Sequence, residues 1–222
     1  HSGQLCPESY HPCSRGYRMS VIGIDTSNYT TSIAWFDGKN GKNCSRLLDV
    51  RQGELGLRQS DALFAHVKRL PTLAEELFCG TDRSTICAVG VSSRPRAVEG
   101  SYMPCFLAGV SAAKTAAAVL GVPCYEFSHQ QGHIAAALWS AGRMDLMERP
   151  HLAWHLSGGT TELLLVTPCH KNVHAEKIGG SSDISGGTWH YAFFLYESLA
   201  NTAVAVFICS SIKSNFASWT EG

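Results

Sequence analysis

The sequence has no excess of charge of either sign: Lys and Arg total 18, as do Asp and Glu, in 222 residues. A balanced chain has no long-range field to draw it onto nucleic acid or an anionic membrane, so any RNA contact needs a local basic patch. A C-x-x-C pair is also missing. Cys44, Cys79, Cys87, Cys105, Cys124 and Cys169 are scattered, mostly through apolar segments, which speaks against a disulfide framework and for reduced, mostly buried thiols in the cytoplasm. Residues 1–18, HSGQLCPESYHPCSRGYR, hold no apolar core of the signal-peptide kind. They read as a non-native or disordered leader, with Met19 as a candidate start. Long apolar runs are lacking except at 191–211. Glu197 and Asn201 interrupt that run and no charged loops frame it, so no membrane association is expected.

A chain of this length buries a substantial core as one large domain or as two lobes of roughly 100 residues each. SVIGIDTSNYTTSIAWFDG, from Ser20, reads as strand, tight polar turn and strand, closed by the turn signal Asp37-Gly38. HLAWHLSGGTTELLLVTP, from His151, repeats the arrangement around SGGTTE, with strands at 152–156 and 163–167. Two such units suggest two related lobes. Between them, Ser60 is placed to cap a helix with Leu63, Phe64, Val67 and Leu70 on one face, kinked or restarted at Pro71. Residues 86–93 form a buried strand by composition. A small-residue helix stops near Gly121, VPCYEF reads as a further buried strand, and SHQQGHIAAALWSAG as the helix after it. The alternation specifies a mixed α/β architecture.

Gly, Ser, Thr and Asn in both turns, including Asp25, Thr26, Ser27 and Asn28, can bring backbone N–H groups and hydroxyls to an anionic ligand. Such turns also close ordinary hairpins, and Asp25 can equally cap its own turn. His129 and His133 are one helical turn apart and can converge on one cation. The alternative is a capping imidazole and a solvent-facing one. Their place after a strand favours a ligand, because open α/β sheets gather ligands at strand C-termini. His155 has no face assigned by alternation, and His66 reads as a partly buried structural residue. Arg94 and Arg96 in SSRPRAVEGS either touch an anionic substrate or RNA, or stand in a solvated loop.

Taken together, VIGIDTSNYTTSIAWFDG, AVGVSSRPR with its small-residue helix, HQQGH and HLSGGTTELLLV resemble the tRNA threonylcarbamoyladenosine biosynthesis transferases, the TsaD family, formerly called glycoproteases. The resemblance covers residues 19–186. It implies an actin-like, Hsp70-like ASKHA (ribonuclease H-like) fold, with the first lobe complete at 19–150 and the second partial at 151–187. It further implies transfer of threonylcarbamoyl from threonylcarbamoyl-adenylate to adenosine 37 of tRNA, alongside partner proteins of that pathway. The family's H-x-x-x-H pair, here His129 and His133, holds one divalent ion, iron or zinc. His155, Leu156, Ser157, Gly158 and Gly159 correspond to its adenylate-contacting segment, a site for an ATP- or AMP-like nucleotide.

Several positions depart from the family pattern. Tyr29 stands where an acidic residue is usual, SSRPRAVEGS replaces a G-P-G loop, Thr160 replaces a His, and an adenylate-contacting Asp is missing near Tyr191. These mark a divergent branch. From 188 the tail loses the pattern, predicting a truncated or frame-shifted product whose final ~35 residues are foreign to the fold. Such a chain is expected to bind metal weakly and to lack transfer activity. A family-specific helix is the plainer reading of the tail. Two other functions fit less well. A non-catalytic actin-like partner would lack the histidine pair, and a small-molecule kinase of this superfamily would need a catalytic Asp and a second phosphate loop. For a protease, no nucleophile, base and orienting acid stand together.

Overall fold

The computed structural model describes residues 19–49, 57–157, 160–169, 172–181 and 205–209. Strands β1 (Ser20–Ser27), β2 (Thr30–Phe36) and β3 (Gly41–Leu47) form an antiparallel meander. Helix α1 (Gln59–Phe78), β4 (Ile86–Arg94), α2 (Phe106–Leu120), β5 (Cys124–Ser128) and α3 (His129–Ser140) follow. The sheet order is β3-β2-β1-β4-β5, with β1, β4 and β5 parallel. This is the ribonuclease H-like arrangement expected of an actin-like lobe. A second sheet repeats it. Strands β6 (His151–Ser157), β7 (Thr160–Cys169) and β8 (Asn172–Ser181) form a meander, and β9 (Ala205–Cys209) pairs parallel to β6, giving the order β8-β7-β6-β9. β9 lies within the tail that was expected to be foreign. The rest of that tail, the leader and most of the 191–211 run fall outside the described residues, among which no helix is long and apolar enough to cross a membrane.

Two apolar clusters fix the frame. One packs Leu70, Leu73 and Leu77 of α1 and Ala108, Ala113 and Ala117 of α2 onto Ile22, Ile24, Val89 and Val91 of the first sheet. The other packs Ile134 and Leu138 of α3 onto Ala153, Leu164, Val166 and Val173 of the second sheet. α3 therefore leaves the end of the first sheet and docks on the second. Gln131 ties the two together, because its side chain completes a capping box with Ser128 and donates to the Val173 carbonyl at 2.7 Å.

The structure corrects several local expectations. α1 starts at Gln59 with Arg58 before it, so Ser60 is not the cap. Its buried stripe is Ala62, His66, Leu70, Leu73 and Leu77, leaving Phe64 and Val67 more than half exposed. The helix runs unbroken through Pro71 because both Pro71 and Val67, whose carbonyl loses its partner, lie on the solvent side. β5 is a sheet edge rather than a buried strand, and Tyr125 is half exposed there. Among the described cysteines, Cys44 and Cys105 are buried, Cys87 and Cys124 half-buried, and Cys79 and Cys169 exposed, so fewer are buried than expected.

His66 is fully buried. Its Nδ1 meets the Thr31 hydroxyl at 2.8 Å, and its Nε2 has no partner. Burial holds its pKa below the usual 6.5, outweighing the raising effect of the Ser27 backbone and the Asp25 charge. The unfolded chain thus binds a proton more readily than the folded one, so this contribution to stability is complete above pH 6.5 and is lost as the pH falls below it. The unfolding free energy from urea titrations should fall more steeply between pH 7.5 and 5.5 in the wild type than in His66→Gln, by up to about 1.4 kcal/mol per pH unit. Equal slopes would show that His66 does not titrate in this way.

Candidate metal and adenylate site

The C-terminal ends of the parallel strands β1, β4 and β5 meet at one place, each delivering a polar side chain: Asp25, Ser92 and, just past β5, His129. A cleft of about 790 Å³ opens there, lined by Asp25, Ser92, His129, Gln131, His133 and Asn172 together with apolar residues of the sheet. The Ser128 capping box starts α3 at this point, so the first-turn histidine and the one a turn later share a face.

Asp25 Oδ2 lies 2.7 Å from His129 Nδ1, and Asp25 Oδ1 accepts the Ser27 N–H at 2.9 Å. Burial opposes ionisation of Asp25. The hydrogen bond and charge of His129, with the Ser92 hydroxyl and Ser27 N–H, outweigh it and hold the carboxyl well below the usual carboxylate range. Opposite an ionised Asp25, His129 Nδ1–H is the donor, and in the neutral ring, the form that can ligate, Nε2 carries the lone pair. His133 Nε2 faces that atom at 2.8 Å. The chain Asp25–His129–His133 is therefore an oriented histidine pair backed by a carboxylate, the outer-shell arrangement that fixes tautomers in metal sites.

His155, whose face alternation left open, points from β6 towards His133, with ring centroids 6.1 Å apart. Its cross-strand partner on β7 is Glu162, which is 2% exposed. Glu162 pairs with Arg96 from the loop after β4 at 3.0 Å and with Lys177 of β8 at 3.4 Å, and its Oε2 lies 3.5 Å from His155 Nδ1. Burial lowers the His155 pKa against the pull of Glu162. Arg96 thus joins the two sheets instead of standing free for an anionic ligand.

The four turn residues divide in the same way. Thr26 is buried, donates to the Cys105 carbonyl and accepts the Gly109 N–H at 3.1 Å. Asn28 accepts from Gln59 at 2.7 Å. Thr26 and Asn28 therefore fasten the turn to α1 and α2, while Asp25 serves His129. Leu156 and Ser157 lie at the end of β6, their backbones paired with Thr161 and Thr160; Gly158 and Gly159 fall outside the described residues. Sequence reasoning passed over Ser92, Gln131 and Glu162. Only Glu162 carried a signal, as the one acid in the apolar run TTELLLVT and two positions into β7.

Among described residues no three His, Cys, Asp or Glu side chains already form a metal-ready group. The donor chemistry of the pair nonetheless fits a borderline divalent ion. Neutral imidazoles are its usual ligands, and at tetrahedral angles nitrogens about 2.0–2.1 Å from one ion stand roughly 3.3–3.4 Å apart, so the pair at 2.8 Å would open slightly to take it.

The family model for tRNA N6-adenosine threonylcarbamoyltransferase (TsaD) matches residues 53–192, well over half of the chain. Proteins of that description from Rhizobium etli, Thermotoga neapolitana and Sulfurihydrogenibium sp. are 29%, 29% and 33% identical to it. The aligned segments cover 67%, 76% and 76% of this chain but only 40%, 49% and 48% of theirs, so the chain spans less than half the length of these curated relatives. Among solved structures, YeaZ from Pseudomonas aeruginosa aligns with a TM-score of 0.47 at 13% identity, over 73% of this chain and 66% of its own. The ROK hexokinase from Thermus thermophilus aligns with a TM-score of 0.42 at 16% identity, over 70% and 47%. On the family match, the chain belongs to the TsaD family of tRNA N6-adenosine threonylcarbamoyltransferases, as a divergent member.

Proposed function

We propose that this chain contributes the metal-bearing part of a site that moves threonylcarbamoyl from threonylcarbamoyl-adenylate to the exocyclic amine of adenosine 37 in tRNA. The supporting observation is the Asp25–His129–His133 chain at the junction of three parallel strand ends. His129 and His133 would hold one iron or zinc ion. When bound, the ion polarises an oxygen of the adenylate and offsets the charge that develops as AMP leaves. Asp25 keeps the proton on His129 Nδ1, so that Nε2 stays a lone-pair donor. The end of β6 with Gly158 and Gly159 receives the adenylate, and the tRNA brings the nucleophilic amine. Pathway proteins in the cytoplasm would supply the adenylate and complete the assembly.

Metal uptake and ligand binding test this directly. Wild-type chain equilibrated with excess iron or zinc should take up the ion, weakly, and bind a non-hydrolysable threonylcarbamoyl-adenylate analogue in a metal-dependent way. A His129→Ala, His133→Ala variant should do neither. Equal metal content in both proteins would overturn the metal assignment. Phosphate transfer from ATP to a small acceptor, without analogue binding, would replace the reading with a kinase.

A further inference from the structure

Glu162 of β7 is 2% exposed and holds two cations on one oxygen: Arg96 of the loop after β4 at 3.0 Å and Lys177 of β8 at 3.4 Å. Its other oxygen, Oε2, has no hydrogen-bond partner, and neither has the buried His155 Nδ1 that lies 3.5 Å away. A carboxylate that takes both partners on one oxygen and leaves the other orphaned in the interior is in a costly arrangement, which a rotation towards His155 would relieve. Both cations reach water, with side chains 42% and 52% exposed. Taking away one partner of a buried ion pair usually leaves an uncompensated charge. Here it would not, because Lys177 and His155 stay beside Glu162 when Arg96 leaves. The backbone around Arg96 is held on both sides: its N–H donates to Ser101 Oγ at 3.0 Å, and the Pro95 carbonyl accepts the Gln130 N–H at 3.0 Å. An exchange of partners is therefore confined to the side chain.

We propose that Arg96 is a phosphate-binding residue held in reserve by Glu162: the carboxylate occupies the guanidinium until the phosphate of a nucleotide entering between the two sheets displaces it. The inference rests on the adenylate reading above and adds to it a residue absent from the family pattern, since Arg96 stands in the stretch that replaces the G-P-G loop. Location, charge and shape support it. Pro95, its neighbour, touches the first turn of α3 through Gln130, so Arg96 leaves the chain at the C-terminal ends of β4 and β5, where open α/β sheets gather ligands. Two cations stand against one carboxylate, so an arriving anion meets net positive charge. A guanidinium fork fits a phosphate as well as a carboxylate, so the exchange conserves its charge-assisted hydrogen bonding. Glu162 is then released to complete the contact with His155. A fixed brace between the sheets needs neither the second cation nor the orphaned oxygen.

The test is calorimetric titration of the wild type, Arg96→Ala and Glu162→Gln with AMP and, as the phosphate-free control, with adenosine. Circular dichroism first establishes that each variant is folded; if Glu162→Gln is not, Glu162→Met takes its place with the same expectation. Arg96→Ala should weaken AMP binding roughly 10–100-fold, the range for losing a charge-assisted hydrogen bond. Glu162→Gln should tighten it at least about threefold, because the guanidinium is no longer shared with a competing carboxylate. Adenosine should bind all three proteins alike. The opposite signs are what a brace would not give, since breaking a brace from either side loosens the site in the same direction. Unchanged or weaker AMP binding by Glu162→Gln, wild-type AMP binding by Arg96→Ala, or equal changes with adenosine would each overturn the reserve and leave the adenylate reading standing. No AMP binding by any of the three proteins would overturn both.

Discussion

Asp25→Asn should lower Co²⁺ affinity roughly 10–100-fold while the chain stays folded. The reason is tautomeric. The carboxylate accepts on both oxygens, from Ser27 N–H and from His129 Nδ1–H. An Asn side chain has one acceptor and one donor end. If its oxygen keeps the Ser27 N–H, its NH₂ faces His129 and must find a lone pair on Nδ1. The His129 proton then moves to Nε2, the atom that points at His133. Ligation would require undoing that shift, while shape and most packing are retained. Nitrogen-15 shifts of labelled histidine should report the change of tautomer in the absence of metal. Wild-type affinity in Asp25→Asn would mean that the hydrogen bond to His129 has no part in holding the ligand.

How much of this was legible in the sequence depends on the range of the interaction. The hairpins, the strand at 86–94, the helix ending at Gly121 with φ 66°, and the H-x-x-x-H helix follow from local patterns, and each is present. The repeat of strand, turn and strand was legible too, and it appears as two sheets with matching strand order. The faces of α1 were not. Its apolar residues are spread widely enough that Phe64 and Val67 fit a helical stripe as well as Leu73 and Leu77 do, and only the position of the sheet decides between them. β3 and β8, rich in Gly, Asn, Lys and other polar residues, gave little strand signal because edge strands bury few side chains.

The site follows the same rule. The spacing of His129 and His133 is a property of one helix and could be read directly. That Asp25, 104 residues earlier, would hold His129 depends on β1 and β5 ending at the same level of a parallel sheet. For Arg96 the sequence leaves open an anionic ligand or a solvated loop, and the fold pairs it with a buried acid from the other sheet. Glu162 was visible only as an acid out of place. Its partners are set by register, since β6 places His155 directly opposite it.

Leu138→Ala should cost about 2–5 kcal/mol of stability, the range for emptying a fully buried leucine site. Leu138 is 0% exposed and packs with Ile134 against Leu146, Leu164 and Val166. α3 has only 12 residues, too few to persist alone in water, and between Ile134 and Leu138 it carries only the small Ala135, Ala136 and Ala137. Ile134 and Leu138 are therefore what dock its C-terminal half on the second sheet, whereas Ser128 and Gln131 fasten its first turn. Neighbours anchored in strands cannot collapse far into the space left, so the lost contacts are not recovered. At about 2–4 °C per kcal/mol for a chain of this size, the midpoint of thermal unfolding should drop by roughly 5–20 °C. Val119→Ala, at an 81% exposed position on α2, should stay within about 0.5 kcal/mol of the wild type. Because the histidine pair sits in the turn that the cap and Gln131 hold, Co²⁺ affinity at temperatures well below unfolding should change far less in Leu138→Ala than in Asp25→Asn. Equal losses of affinity in the two variants would mean that the ligand geometry depends on the docking of the whole helix and not on its first turn.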